Sequence, residues 1–395
     1  MPPRGTRRHR PIPARRPVRP GHHDRTGPGT HPKSTGRDPT ARRSDALTRD
    51  VASGHVDMTD PSPLEATDPT GDEPSGNPAG PFSERRLHRH FHEIGRSLPP
   101  EVLLGPGDDM AMVEHQGPVL VAADQVVLGR HVRRDESPWA IGRKAVLRNL
   151  SDVAAMAARP FAIVATATLG PECDDEWARR LHEGLNQTAL QWGAPLVGGD
   201  LATHSIPEGP TVVSVTILAR PGLPDDRVVT RTGARVGDLL VTTGRLGGSL
   251  DPDGGGRHLD FTPRIEEAIE LAGLLGSDLV SMMDLSDGLA QDAGRLAFAA
   301  DSVARLDASA IPTNPGCDWR RAATDGEDYE LLLACRIPPP AEVRGVPVTV
   351  IGRLEAPNEG PGQGRGHEPA GAVMVVDGRN RHRIDHLGWE HLRRP

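Results

Sequence analysis

Residues 149–156 read Asn-Leu-Ser-Asp-Val-Ala-Ala-Met. They fall in a stretch whose N-terminal signal is Ser137-Pro138, a cap residue followed by a first-turn proline, so a helix is expected from there to about Ala158. Ala145, Ala154, Ala155, Ala157 and Ala158 leave little side-chain bulk, which lets this helix lie close against a sheet or a second subunit. Asp152 is out of keeping with that face. A carboxylate on a packable surface must find a partner, and the candidates are a cation or Arg148, one turn earlier. Lys144 lies two turns before Asp152 and is the only lysine outside the N-terminal arm, in a chain that otherwise uses arginine. That choice hints at a specific ammonium role.

Upstream of this helix, Pro118 to Ala123 reads as a buried strand delivering Asp124 at its end. Downstream, Phe161 to Leu169 and Thr211 to Ala219 are strand-like, with an amphipathic helix over Asp174 to Trp192. Between them Pro195-Leu196-Val197 runs into Gly198-Gly199-Asp200, either a glycine turn or a place where backbone approaches a phosphate beside a cation-binding carboxylate. Arg220 to Asp238 is punctuated by proline and glycine and is taken as an interdomain connection. Beyond it come strands at Leu239 to Thr243 and Leu279 to Met283, and helices at Arg264 to Leu275 and Asp287 to Ala300. Further strands are expected at Tyr329 to Cys335, Val346 to Ile351 and Ala372 to Val376, with a long loop over 356–370. The expectation is an α/β protein with an N-terminal extension (1–82), a first domain (83–220) beginning with a helix near Ser83, and a second domain (221–395).

Several short acidic motifs sit at strand ends and helix starts. Gly107-Asp108-Asp109 places two carboxylates in a tight turn, where they repel unless a cation or donor intervenes. Asp284-Leu285-Ser286-Asp287-Gly288 comes after an apolar strand and opens a helix; an ordinary N-cap by Ser286 or Asp287 would explain one acid but not both. Asp325-Gly326-Glu327-Asp328-Tyr329-Glu330 holds the single tyrosine of the chain; Glu327 suits a polar substrate, and otherwise the run is a solvated turn. Carboxylates at such positions suit hard divalent cations holding phosphates, which points to magnesium-dependent phosphoryl transfer. There is no Gly-x-x-x-x-Gly-Lys-Ser/Thr loop, no protein-kinase motif set and no Gly-x-Ser-x-Gly elbow.

The net charge is -8, yet residues 1–50 are dominated by arginine. Such an arm suits nucleic acid, but its lack of hydrophobic periodicity fits better a translated upstream region, with Met58 the better start and nucleic acid not expected as a partner. Cys173, Cys317 and Cys335 are widely spaced and support neither zinc nor a disulfide framework. No apolar run reaches the roughly 18 residues of a membrane span, and the expectation is a cytoplasmic protein.

The order of these motifs resembles the thiamine-monophosphate kinase family, within the aminoimidazole-ribonucleotide synthetase-like superfamily. Asn149 to Met156 and Asp284 to Leu289 carry most of the likeness, supported by Asp124 with His131, Gly198 to Asp200, Arg231 to Ala234 and Gly326 to Leu331. The resemblance implies a two-domain fold, a homodimer built on the N-terminal sheets, and phosphorylation of thiamine monophosphate by ATP. It also implies Asp109, Asp124, Asp152, Asp200, Asp284 and Asp287 as ligands of several magnesium ions. Gly199, Asp200, Arg231 and Ser286 are then nucleotide contacts, and His131, Glu327 and Trp389 substrate contacts. No general base is assigned. Ala122-Ala123 and Leu201-Ala202 stand where the family has hydroxyls, and Asp325 where it has glycine. The alternatives are a sister enzyme with another acceptor or a non-catalytic nucleotide-binding protein.

Overall fold

The computed structural model describes residues 98–105, 110–359 and 367–388. The N-terminal extension, the helix expected near Ser83, and the site candidates Asp109 and Trp389 lie outside the described residues. Everything described belongs to one unit, Pro74–Pro395.

In chain order the elements are β1 (Val102–Leu104), β2 (Met112–Val113), β3 (Leu120–Val127), α1 (Pro138–Ala155), β4 (Ala158–Leu169), α2 (Asp175–Gln191), β5 (Leu196–Thr203) and β6 (Val212–Pro221). Next are β7 (Leu239–Thr243), α3 (Ile265–Leu275), β8 (Leu279–Asp284), α4 (Leu289–Ala299), β9 (Val303–Asp307), α5 (Trp319–Thr324), β10 (Leu331–Cys335), β11 (Glu342–Val343) and β12 (Val346–Glu355). The chain closes with β13 (Asn358–Glu359), β14 (His367–Glu368), β15 (Val373–Asp377) and β16 (Asn380–Arg383).

A four-stranded sheet runs β3-β6-β4-β5, with only β4 and β5 parallel. Its alternation is clean: Val213, Val215 and Ile217 of β6 are buried, as expected of a sheet covered on one face. On the other face Val121, Ala123, Gln125, Thr166 and Asp200 are exposed. The larger sheet runs β16-β15-β9-β12-β7-β10-β8, with β11 added beside β12, and is antiparallel except for β15 with β9. One core joins α1, α2 and α3 to the covered face of the small sheet and to Val241, Met282, Leu333 and Val348 of the large one. A second core packs α4 and α5 on the opposite face of the large sheet.

Several boundaries differ from expectation, each for a local reason. Asp124 lies inside β3, because Val126 and Val127 are β-branched and carry the strand on. Helix α1 is capped by Ser137, whose Oγ accepts from the Ala140 amide at 3.1 Å, and ends at Ala155 because Ala157 takes φ 51° and β4 starts at once. Gly198-Gly199-Asp200 forms no turn but lies within β5, where a Cβ on Gly199 would come within 2.0 Å of the Ala165 carbonyl oxygen. Helix α4 starts two residues later than expected, at Leu289; its N-cap is Gly288 at φ 101°, and neither Ser286 nor Asp287 caps it. The interior strand β9 and the edge strand β16 gave no clear sequence signal; Val303 to Asp307 interleaves arginine and aspartate with its apolar residues.

Candidate active site

Helix α1 delivers Ser151 and Asp152 to the C-terminal end of β8. There the buried Asp284 accepts a hydrogen bond from Ser151 Oγ at 2.8 Å. Asp124 on β3 completes the neighbourhood, with Arg148 Nε 3.3 Å from its Oδ2 and Arg148 Nη1 donating to the Gln125 carbonyl at 2.8 Å. Arg148 therefore anchors β3 rather than forming an ion pair with Asp152. Burial, then the charges of Asp284 and Asp124, push the Asp152 carboxyl up to about 8 against the pull of Arg231 and Arg148. Burial also pushes Asp284 upward, opposed by the Ser151 hydrogen bond and the charge of Arg231.

Buried carboxylates gathered beside one another make a site short of positive charge, and a divalent cation supplies it. The donor set therefore fits magnesium. Among the described residues no three His, Cys, Asp or Glu side chains converge tightly enough to hold a metal ion alone. A cation here would take one or two of these carboxylates and fill its shell from water or ligand oxygens, as magnesium does in phosphate-handling sites.

The segment 284–288 is an open turn stitched to its neighbour. The amides of Glu327 and Tyr329 donate to the carbonyls of Ser286 and Leu285, each at 2.8 Å, and the Leu285 amide donates to the Glu330 carbonyl at 2.8 Å. Gly326, Glu327 and Tyr329 adopt φ of 72°, 54° and 53°, which for the two non-glycines costs of order 1–3 kcal/mol each. The run expected as a possible solvated turn is thus largely buried: Asp328 and Glu330 are 2% and 3% exposed. Asp287 is held from α4, where Arg295 Nη2 lies 2.5 Å from its Oδ2 and Asp292 Oδ2 accepts its amide at 3.1 Å. Burial, then the charge of Asp284, pushes Asp292 up to about 8, with Arg295 opposing.

Glu327 turns inward, its carboxylate joined to the fully buried Lys144 of α1. His258 Nδ1 lies 2.6 Å from Lys144 Nζ and 3.0 Å from Glu327 Oε2, and Lys144 also donates to the His131 carbonyl at 2.7 Å. Burial would raise the Glu327 carboxyl, but the His258 hydrogen bond and the Lys144 charge outweigh it and bring it down to about 2. Burial lowers Lys144 to about 8, with Glu327 opposing. The His131 ring accepts from the Val127 amide through Nδ1 at 3.0 Å, which leaves its proton on Nε2.

The structure thus gathers Asp124, Asp152, Asp284 and the charge of Arg231, with Ser286 and Asp287 on the adjoining turn. His131 and Glu327 are tied to one another through Lys144. Asp200 is different: paired with Thr166, it shares the uncovered face of the small sheet, whereas Asp124 is on the face under α1. Sequence reading assigned no role to His258, Asp292 or Arg295, and named Asp328 only as part of its acidic motif. The Asp292/Arg295 spacing of three on one helix face was a usable signal; His258, inside a glycine-rich run, gave none.

A family model described as AIR synthase related protein, N-terminal domain, matches residues 107–220. A thiamine-monophosphate kinase of Rhodopirellula baltica is 34% identical over 280 residues, covering 65% of this chain and 84% of that protein. The crystal structure of thiamine-monophosphate kinase from Stenotrophomonas maltophilia K279a superposes with a TM-score of 0.58 at 27% identity, covering 74% of this chain and 96% of that one. AaThiL complexed with AMPPCP and TMP shares the fold, with a TM-score of 0.53 at 23% identity over 79% of this chain and 99% of that one.

Proposed function

The chain belongs to the thiamine-monophosphate kinase family, and from that membership we propose that it transfers the terminal phosphoryl group of ATP to thiamine monophosphate, giving ADP and thiamine diphosphate. The observation that carries the reading is the grouping of the Asp124, Asp152 and Asp284 carboxylates, where burial first and then the neighbouring charges push Asp152 up to about 8. Magnesium bound there would neutralise phosphate oxygens and let two anionic substrates approach.

The chain's own residues position and neutralise. Asp124, Asp152 and Asp284 fit as magnesium ligands, with Asp109, Asp200 and Asp287 proposed for further ions on the family pattern. Arg231 brings a guanidinium toward the same carboxylates and, with Ser286, Gly199 and Asp200, is assigned to the nucleotide. His131 and Trp389 are assigned to the acceptor; Glu327 shares that assignment on the family pattern, although its carboxylate is engaged by Lys144. The acceptor is already a phosphate and largely ionised near neutral pH, so no side chain is required as a base, and transfer is direct and in line. The uncovered face of the small sheet, where Val121 is 64% exposed, supports a homodimer formed through it.

The test incubates the full chain with magnesium, ATP and thiamine monophosphate and separates the products by chromatography. Equal amounts of ADP and thiamine diphosphate are expected. Well-folded protein that yields no thiamine diphosphate above a control without enzyme overturns the reading.

A further inference from the structure

Glu327 is not among the carboxylates assigned to magnesium, yet its cluster with Lys144 and His258 places a lysine in the core. Lys144 is the only lysine of the described residues, its side chain is fully buried, and it makes three polar contacts to three separate segments. One is the His131 carbonyl after β3, one is His258 in the connection between β7 and α3, and one is Glu327 in the turn before β10. His258 Nε2 lies 3.2 Å from the Gly254 carbonyl oxygen, so the imidazole is held on both sides. The Glu327 turn is in turn fastened by its backbone to Leu285 and Ser286, beside Asp284.

Helix α1 therefore meets the Asp284 turn at two places, through Ser151 directly and through Lys144 by way of Glu327. Seven residues separate these points, about 10 Å along the axis at the usual helical rise. A single attachment lets a helix pivot; two fix its direction. We propose that Lys144 is a positioning residue, and that its buried contact with Glu327 and His258 sets the separation of Asp152 from Asp284 and hence the affinity of the site for magnesium. This rests on the assignment of those carboxylates to magnesium.

Replacing one partner alone strands the other as a buried charge and costs stability whatever its role. The informative comparison is between Lys144→Met and the neutral double variant Lys144→Met/Glu327→Gln, each made in the full chain. Magnesium binding is measured by calorimetric titration in the presence of a non-hydrolysable ATP analogue, beside the melting temperature and kcat. The single variant is expected to melt earlier and the double to recover most of that loss, while both bind magnesium at least tenfold more weakly than the wild type. A double variant that regains both melting temperature and wild-type magnesium affinity makes the cluster a packing feature and overturns the proposal. Unchanged magnesium affinity in a folded Lys144→Met protein does the same. If the wild type itself binds no magnesium, the metal assignment falls first and the positioning role falls with it.

Discussion

Leu150-Ser151-Asp152 and Leu285-Ser286-Asp287 are the same three letters in two conformations. The first lies in the last two turns of α1; the second forms an open turn between β8 and α4. In both, the leucine is fully buried and anchors the segment, but the acids are held differently: Asp152 lies among the charges of Asp284 and Asp124, whereas Asp287 pairs with Arg295 of α4. The difference arises on the C-terminal side of each triplet. Val153-Ala154-Ala155 continue a packed helix, whereas Gly288 takes φ 101°, a conformation that an L-side chain rarely adopts. Local identity thus decides the chemistry offered, and the neighbouring backbone decides its direction.

The two serines divide the work accordingly. Ser151 commits its hydroxyl to Asp284, tying the motifs together, while Ser286 contributes its carbonyl to the Glu327 amide and keeps its hydroxyl for the proposed nucleotide contact. If the motifs act as one site, Asp152→Asn and Asp284→Asn should each lower kcat by at least about a hundredfold with circular dichroism unchanged. A near-wild-type rate in both would separate the motifs from the chemistry.

Gly288→Ala probes the conformational half of the contrast. Its Cβ would sit 3.0 Å from the Ala323 carbonyl oxygen at a left-handed φ, costing of order 1–3 kcal/mol. A melting temperature several degrees lower and a reduced kcat are expected. Ser151→Ala removes the bridge itself and leaves a buried carboxylate short of a donor. A loss of about 1–3 kcal/mol in denaturant unfolding is expected, with weaker magnesium binding.

Acidity gives a further distinction. Asp152, raised from its ordinary 3.8 to about 8, binds more protons folded than unfolded between those values. It therefore subtracts stability as pH rises from about 4 to about 8. Metal-free protein should melt progressively earlier across that range, and Asp152→Asn should flatten the fall; magnesium should reverse it in the wild type only. The smallest effect is expected at the far end of α1. Ser137→Ala should cost about 1 kcal/mol through the lost cap, with kcat unchanged.

Much of the fold was legible because periodicity and caps are local. Ser137-Pro138 announced α1, Leu239 to Thr243 were placed residue for residue, and Asp174 to Trp192 bracket α2 with both caps included. The acids Asp124, Asp152 and Asp284 were readable as chemistry in search of a cation, because unneutralised carboxylates among apolar residues demand a partner. Asp200 carried the same signal, and only the register of β5 against β4 shows that it faces away from α1.

Element types, the anchoring leucines and the supply of carboxylates were settled by the order of residues along the chain, since these depend on neighbours within a turn or two. Folding in three dimensions was needed to decide that Glu327 pairs with Lys144, 183 residues away, and that His258 joins them. It also decided that Ser151 reaches Asp284 across 133 residues. Such contacts are selected by packing between layers, where burial makes an unpaired charge costly and leaves each buried ion to find whichever partner the folded sheets bring within reach.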